Sequence, residues 1–402
     1  MYRTLLAVTA LFVISTPTFA QETAAIFAPV ADADESLRYW ARAEYLLWWI
    51  RGEHASVPLA TTGPIGVSRS GALGEPNTGV LIGPDLNYRP NSGGKLFLGG
   101  WIDAAQTIGV EATGFCLETH TIHEKVYSNR TNGTPVITRP FFNTLTGQQD
   151  AEIITGPADA LGGRYLGGIG LFSDSRTWGG EMNLLLHLGE TRVVRWDLVG
   201  GIRYLGQKDE FRFDDSSTVL RPGTVGFAGR PAPGPDIVSL RDYLESASAF
   251  YGAQIGLQGH ADFGPLTCDS GIRVGLGTNQ EHLETLGRTL LTNSAGTTLY
   301  QPGGLFVPAN ASIFARGQLG SIAEFNLRVG YRVTERWLAS VGYTILYWGD
   351  IIRPAGQINP IVDPRTVPSS LAYNPAVTGA PLQLHSTDYW AQGLTFGLEY
   401  RY

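Results

Sequence analysis

Leu394-Thr395-Phe396-Gly397-Leu398-Glu399-Tyr400-Arg401-Tyr402 is the stretch that decides the fold. Apolar and polar residues alternate strictly along it, and alternation at period two gives a strand with one apolar face and one polar face. A soluble strand of this kind would turn its apolar face to a core. Here Tyr400 and Tyr402 gather at one end, as the interfacial aromatic girdle of a membrane β-barrel requires. Glu399 and Arg401 fall on the opposite face, where a polar lumen would lie. The stretch is expected to be the closing strand of an antiparallel transmembrane β-barrel, with Leu394, Phe396, Leu398, Tyr400 and Tyr402 turned to lipid.

The other end of the chain agrees. Met1–Ala20 carries a basic residue at Arg3, an apolar run from Leu5 to Ile14, then Pro17 and a small-residue exit at Thr18-Phe19-Ala20. That is the pattern of a secretory signal peptide, with cleavage expected after Ala20. No other stretch reaches the roughly 18 apolar residues of a membrane helix. An exported membrane protein with this sequence must cross by strands. Residues 21–38 are expected to form a periplasmic lead and residues 39–402 an outer-membrane barrel.

Composition narrows the classes further. The 402 residues include 29 Lys+Arg and 36 Asp+Glu, for a net charge of -7. No basic nucleic-acid-binding face is expected from that balance, and hence no nucleic-acid partner. Two cysteines cannot make a disulfide scaffold. Gly at 51 residues and aromatics at 11% suit tight strand contacts and aromatic girdles.

Ten segments show the alternation at the length a tilted spanning strand needs. They are Tyr39–Trp49, Lys95–Trp101, Ile108–Leu117, Thr177–Leu188, Arg195–Leu205, Tyr251–His260, Leu266–Leu276, Ala323–Thr334, Trp337–Tyr347 and Leu394–Tyr402. Their connections alternate between short turns, such as Gly189-Glu190, and five long links of about forty residues or more, the pattern of periplasmic turns and external loops. The long links are rich in Gly, Pro, Asn, Thr and Ser, as in Thr61–Pro90, Asn129–Pro157 and Arg353–Pro381. They also carry Phe141, Phe142, Ile153 and Ile154, so some are expected to fold over the barrel mouth.

The inward charges are the best candidate for a functional site. On this register they are Arg42, Lys95, Arg195, Arg203, Arg273, Arg328, Arg332 and Arg401 against Glu44, Glu111, Glu181, Asp197, Asp269, Glu324 and Glu399. A selective channel favours one sign. Near balance points to pairing across the lumen, and ten strands lie close to the eight-stranded limit at which side chains fill the interior. A filled or loop-plugged barrel with a structural or surface-exposed role is expected. A narrow porin-like channel for small solutes is the alternative, and a surface ligand-binding barrel or rim protease is a third.

Other candidates carry less. His120 and His123 beside Glu118 and Glu124 would bind a metal only if a loop brought them together, since at i, i+3 on a strand they face opposite ways. His385, Asp388 and Asp350 fall near the loop end of neighbouring strands, but no motif makes them catalytic, and no enzyme activity is expected. Gly167-Gly168-Ile169-Gly170 lacks the Lys and the strand–helix frame of a phosphate cradle. Neither cofactor nor metal is expected. The expected partners are outer-membrane lipid and the barrel-assembly machinery, with small solutes on the channel reading.

Six stretches together resemble a known family: Trp40–Trp49 (WARAEYLLWW), Arg139–Pro157 (RPFFNTLTGQQDAEIITGP), Trp178–Leu188 (WGGEMNLLLHL), Gly200–Leu205 (GGIRYL), Val341–Pro368 (VGYTILYWGDIIRPAGQINPIVDPRTVP) and Ser386–Tyr402 (STDYWAQGLTFGLEYRY). The family is the putative beta-barrel porin family seven of planctomycete envelopes. Its members usually close on Phe-Arg-Tyr, where this chain has Tyr400-Arg401-Tyr402. The resemblance covers the chain from the first strand to the last and implies an outer-membrane barrel. It implies no particular solute, because a fold does not fix a function.

Overall fold

The computed structural model describes residues 39–307, 312–379 and 383–402. The expected signal peptide and lead lie outside the described residues. Ten antiparallel strands close into a ring: β1 (Tyr39–Ile50), β2 (Asn91–Trp101), β3 (Ile108–Leu117), β4 (Arg164–Glu190), β5 (Val194–Arg221), β6 (Ile237–Phe263), β7 (Leu266–Thr292), β8 (Ser312–Arg332), β9 (Trp337–Ile352) and β10 (Ser386–Arg401). Each strand pairs with the next in sequence. The ring shuts where β10 meets β1, from Arg401 opposite Trp40 to Ala391 opposite Ile50. Tyr39 and Tyr402 exchange both backbone hydrogen bonds, at 2.9 and 2.8 Å. These are the ten expected segments in the expected order.

Their residues explain the band they form. Outward positions carry Tyr45, Leu96, Leu184, Ile202, Ile255, Leu276, Val329 and Leu398, all exposed. Such a continuous apolar surface is stable only against lipid. Glycine serves the strand contacts at Gly393, where a Cβ would lie 2.3 Å from the Leu47 carbonyl oxygen and 2.8 Å from the Trp48 ring.

Four strands continue far beyond this band. β4 to β7 run to 27 or 28 residues, about 90 Å of extended chain. The period-two pattern persists, but its polarity inverts. Low on β5 the outward residues are Trp196, Leu198, Ile202 and Tyr204, and Arg203 faces in. Higher up, Lys208, Glu210, Arg212 and Asp214 take the outward positions, and Phe211, Phe213 and Val219 are buried inside. β6 changes in the same way, from outward Ile255 and Leu257 to Tyr243 and Arg241. The tilted ring pair Tyr204 and Tyr251, with centroids 5.1 Å apart, marks the border. Outward charges above it pair across strands, as Lys208 does with Glu245 at 2.7 Å.

This inversion corrects the sequence reading of strand lengths. Segments expected to begin or end at residues 177, 205, 251, 276 and 323 continue to 164, 221, 237, 292 and 312. The third and fourth long connections, expected at about forty residues, therefore shrink to 222–236 and 293–311. The outward-apolar rule that located the strands fails above the band, although the backbone is unchanged. His120–Tyr127 also forms a strand. It follows β3 up the same edge of β4, pairing with Gly168–Ser175.

The remaining connections fold into the mouth. Gln148–Thr155, Ile137–Asn143, Ala60–Thr62 and Gly79–Ile82 make a small sheet, joined in parallel by Ile361–Val362. Ile137, Phe141 and Ile154 share one buried cluster with Phe211, Phe213, Leu240 and Leu244 of the barrel wall, and with Leu305 and Phe306. The main hydrophobic core thus sits above the apolar band, between a folded cap and the tall strands.

Candidate functional site

The lumen is built in layers, each set by what the inward positions carry at that height. Nearest the short turns it holds paired charges. Arg42 meets Glu44 at 2.7 Å and Glu399 at 3.1 Å. Glu399 also receives Arg328 and Arg401, each at 2.7 Å. Arg328 reaches Asp269 at 2.7 Å, and Asp269 accepts the His260 ring as well. Arg195 pairs with Asp197 at 3.1 Å and lies over the Trp101 ring, and His187 meets the same Asp197 oxygen at 3.2 Å. At the rim Arg332 binds Asp262 at 2.7 Å.

A second network lies deeper. Arg273 reaches Glu111 at 2.9 Å and Glu181 and Glu324 at 3.8 Å each. Arg203 pairs with Glu324, and with Glu181 at 3.4 Å. Lys95 stands 4.0 Å from Glu324. Gln254 and Asn183 donate to Glu181 and Glu111 at 2.9 Å, each to the oxygen that Arg203 or Arg273 also contacts.

The structure thus brings the sequence-derived inward charges into these networks. Asp262, the partner of Arg332, was missed because it lies just past the end of the sixth segment as read from sequence. With it, eight basic residues face eight acidic ones, so the lining is neutral when its histidines are neutral.

Above the charges the inward positions of β1, β5, β6 and β8 to β10 turn apolar, with Thr177 of β4 and Asn279 of β7 hydrogen-bonded among them. Leu46 and Trp48 of β1, Leu205 of β5, Phe250 of β6, Ile322 of β8, Leu346 and Trp348 of β9, and Tyr389 of β10 form one buried cluster, each no more than 1% exposed. Trp48 packs on Phe115 of β3 with centroids 5.6 Å apart, and Trp348 meets Tyr389 edge to face at 6.4 Å. The Trp348 ring N–H donates to Asn279 at 2.8 Å, which fixes its plane. This septum crosses the barrel. Below it a cavity of about 450 Å³ opens among Arg42, Lys95, Asp197, Asp269, Arg328 and Glu399. A void of about 10 Å³ lies against the septum, beside Trp48, Phe115 and Arg203. That is room for at most one water. The septum was readable as a change along inward positions, from Glu44 to Leu46 and Trp48, and from Arg203 to Leu205.

Two further arginines sit above the septum, both on residues read as loop. Arg353 binds Asp209 at 2.9 Å and Glu53 at 3.4 Å, and donates to the Arg51 carbonyl at 2.7 Å. Glu53 accepts the Ala355 N–H at 2.9 Å and the Tyr88 hydroxyl at 2.8 Å. Burial pushes the Glu53 carboxyl up to about 7. Arg139 joins the cap to β5 through Asp215 at 2.8 Å and to β6 through Asp242. Their signal in the sequence is an Arg-Pro pair beside apolar residues, Arg139-Pro140 and Arg353-Pro354.

The two histidines are not brought together, whereas the Asp388 and Asp350 carboxylates both lie near the Tyr347 hydroxyl. The His120 ring packs on Tyr88 and the His123 ring on Phe172. Among the described residues no group of three or more His, Cys, Asp or Glu side chains could hold a metal ion. The carbonyl of Asp350 accepts from Asn279 at 2.8 Å, that of Asp388 from Arg51 at 2.7 Å, and the His385 N–H donates to Gln357 at 2.9 Å. Gly167–Gly170 lies within β4.

Residues 40–402 match the family described as Putative beta barrel porin-7 (BBP7). No curated protein matches the chain. Among solved structures, the chain is similar to a loop L8 deletion mutant of OmpT, an outer membrane protein of Vibrio cholerae, at 7% identity and a TM-score of 0.17, over 90% of this chain and 98% of that one. It is similar to a Pseudomonas aeruginosa FadL homologue at 7% identity and a TM-score of 0.21, over 91% and 90%. It is similar to the Pseudomonas putida toluene transporter TodX at 7% identity and a TM-score of 0.17, over 93% and 90%.

Proposed function

We propose a function from one premise: the chain belongs to the putative beta barrel porin-7 family and is an outer-membrane β-barrel protein. The barrel serves as a membrane anchor whose lumen is closed to solutes, and it holds a folded cap at the cell surface. The observation that carries this reading is the septum of Leu46, Trp48, Phe250, Leu346, Trp348 and Tyr389 above a charge-neutral lumen. Liposome swelling tests it. Vesicles carrying the refolded protein should swell in small sugars no faster than empty vesicles, and rapid swelling would overturn the reading.

A narrow channel for small solutes is the second reading, favoured by the 450 Å³ cavity below the septum. It requires Trp48 and Trp348 to move aside. On either reading the short turns face the periplasm and the cap faces outward. Export would remove residues 1–20 and leave Gln21 first, and the intact mass of envelope material checks this. Outer-membrane lipid and the barrel-assembly machinery are the proposed partners.

A further inference from the structure

We propose that the cap is held by a proton-loaded latch at Arg139, docked while surplus carboxyls beside it carry protons and loosened as the pH rises. The geometry supplies the reason. Arg139, on the cap strand Ile137–Asn143, points into the core between the Phe213 and Phe306 rings, 4.6 and 4.8 Å from their centroids. Two carboxyls meet this one guanidinium, Asp215 of β5 and Asp242 of β6, and a third, Glu152 of the cap, stands opposite Arg139 on the neighbouring cap strand without an ion-pair contact. Arg139, Asp215 and Asp242 are buried. Glu152 is partly exposed, but its Oε2 is out of contact with solvent.

The site therefore holds two more acids than bases. Asp242 is the best compensated, because it also accepts the backbone N–H groups of Phe306 and Val307 at 3.2 and 2.9 Å. Asp215 Oδ1 and Glu152 Oε2 accept no hydrogen bond, and these are the carboxyls that would hold the protons. The other groups packed here are the Ser369 hydroxyl, which donates to Glu152, and apolar Leu171 of β4 and Leu291 of β7. The second tie repeats the surplus, with Asp209 and Glu53 around Arg353.

An unpaired buried carboxylate is costly, so such groups keep their protons. Burial pushes Asp215 up to about 8, and raises Glu152 for the same reason. Both carboxyls lie outside the apolar band, at the height of the outward charges Arg212 and Asp214 or in the cap itself. Once undocked, they would titrate near the ordinary carboxylate value of about 4. The docked state then binds more protons between about pH 4 and 8, and docking weakens as the pH rises through that window.

Hydrogen exchange of the refolded full chain tests the latch. Protection factors for Ile137–Asn143 and Gln148–Thr155, corrected for intrinsic exchange, would be compared at pH 6 and pH 9. Wild type should lose about tenfold or more in protection, the change expected when a proton bound by the docked state is lost over one pH unit. Asp215→Asn with Glu152→Gln should lose almost none, while β9 and β10 stay protected in both proteins. Equal losses in wild type and the double variant would overturn the latch. So would protection in wild type that stays flat from pH 6 to 9, a result that holds even if the double variant does not fold.

Discussion

Arg273 on β7 donates to Glu111 on β3 at 2.9 Å, joining strands four places apart in a ring of ten. Two side chains can span the lumen only where it is narrow. Removing one of them leaves the other charged and unpaired among buried neighbours. Arg273→Ala should destabilise the barrel by about 3–5 kcal/mol. Lys125→Ala, at an exposed position, should stay within about 0.5 kcal/mol of wild type. Denaturant unfolding of the refolded barrel in detergent measures both. Equal stabilities would mean that the lumen pairs contribute nothing.

The closing strand should control assembly. Tyr400 packs on Trp337 with ring centroids 4.9 Å apart, and Tyr402 exchanges both backbone hydrogen bonds with Tyr39. Replacing Tyr400 and Tyr402 with Ala removes interfacial aromatics from the seam that leaves the sheet without edges. Less of the heat-modifiable folded form should be recovered from membranes. A wild-type yield from the double variant would count against this role of the seam.

Cys116 on β3 and Cys268 on β7 are free and lie on strands that do not pair. Thiol labelling after denaturation without reductant should count two per chain. A count of zero would place the two strands side by side, within the roughly 7 Å reach of a disulfide.

The sequence showed the membrane band more clearly than what stands above it. Inside the band the environment is lipid without and charge within, so Trp196, Leu198, Ile202 and Tyr204 stand out against Arg203. Above it the solvent moves outside and the core moves inside. Phe211 and Phe213 then face in while Arg212 and Asp214 face out, a pattern that reads as soluble loop or strand. Arg139 and Arg353 were hidden for a different reason. An arginine in a long polar connection is ordinarily solvated, and only the cap's tertiary packing buries these two against acids of the wall. The lumen charges were legible from phase alone. Their pairing was not, because it depends on which strands face each other across the ring.

The septum should be the element that resists flow. Trp48→Ala together with Trp348→Ala removes its two largest rings. Each truncation should cost about 3–5 kcal/mol if the site does not collapse. The folded fraction of the double variant should conduct ions in steps that wild type lacks. Unchanged conductance would move the barrier to the cap or to the charge networks beneath.

Single-channel recording of the refolded wild-type barrel in a planar bilayer tests the closed lumen most directly. With Trp48, Phe250, Leu346 and Trp348 sealing the interior, the expected trace is a quiet baseline with no steady open level at neutral pH. A large, steady conductance in wild type, unaltered by Trp48→Ala with Trp348→Ala, would contradict the closed lumen and make the chain an open channel.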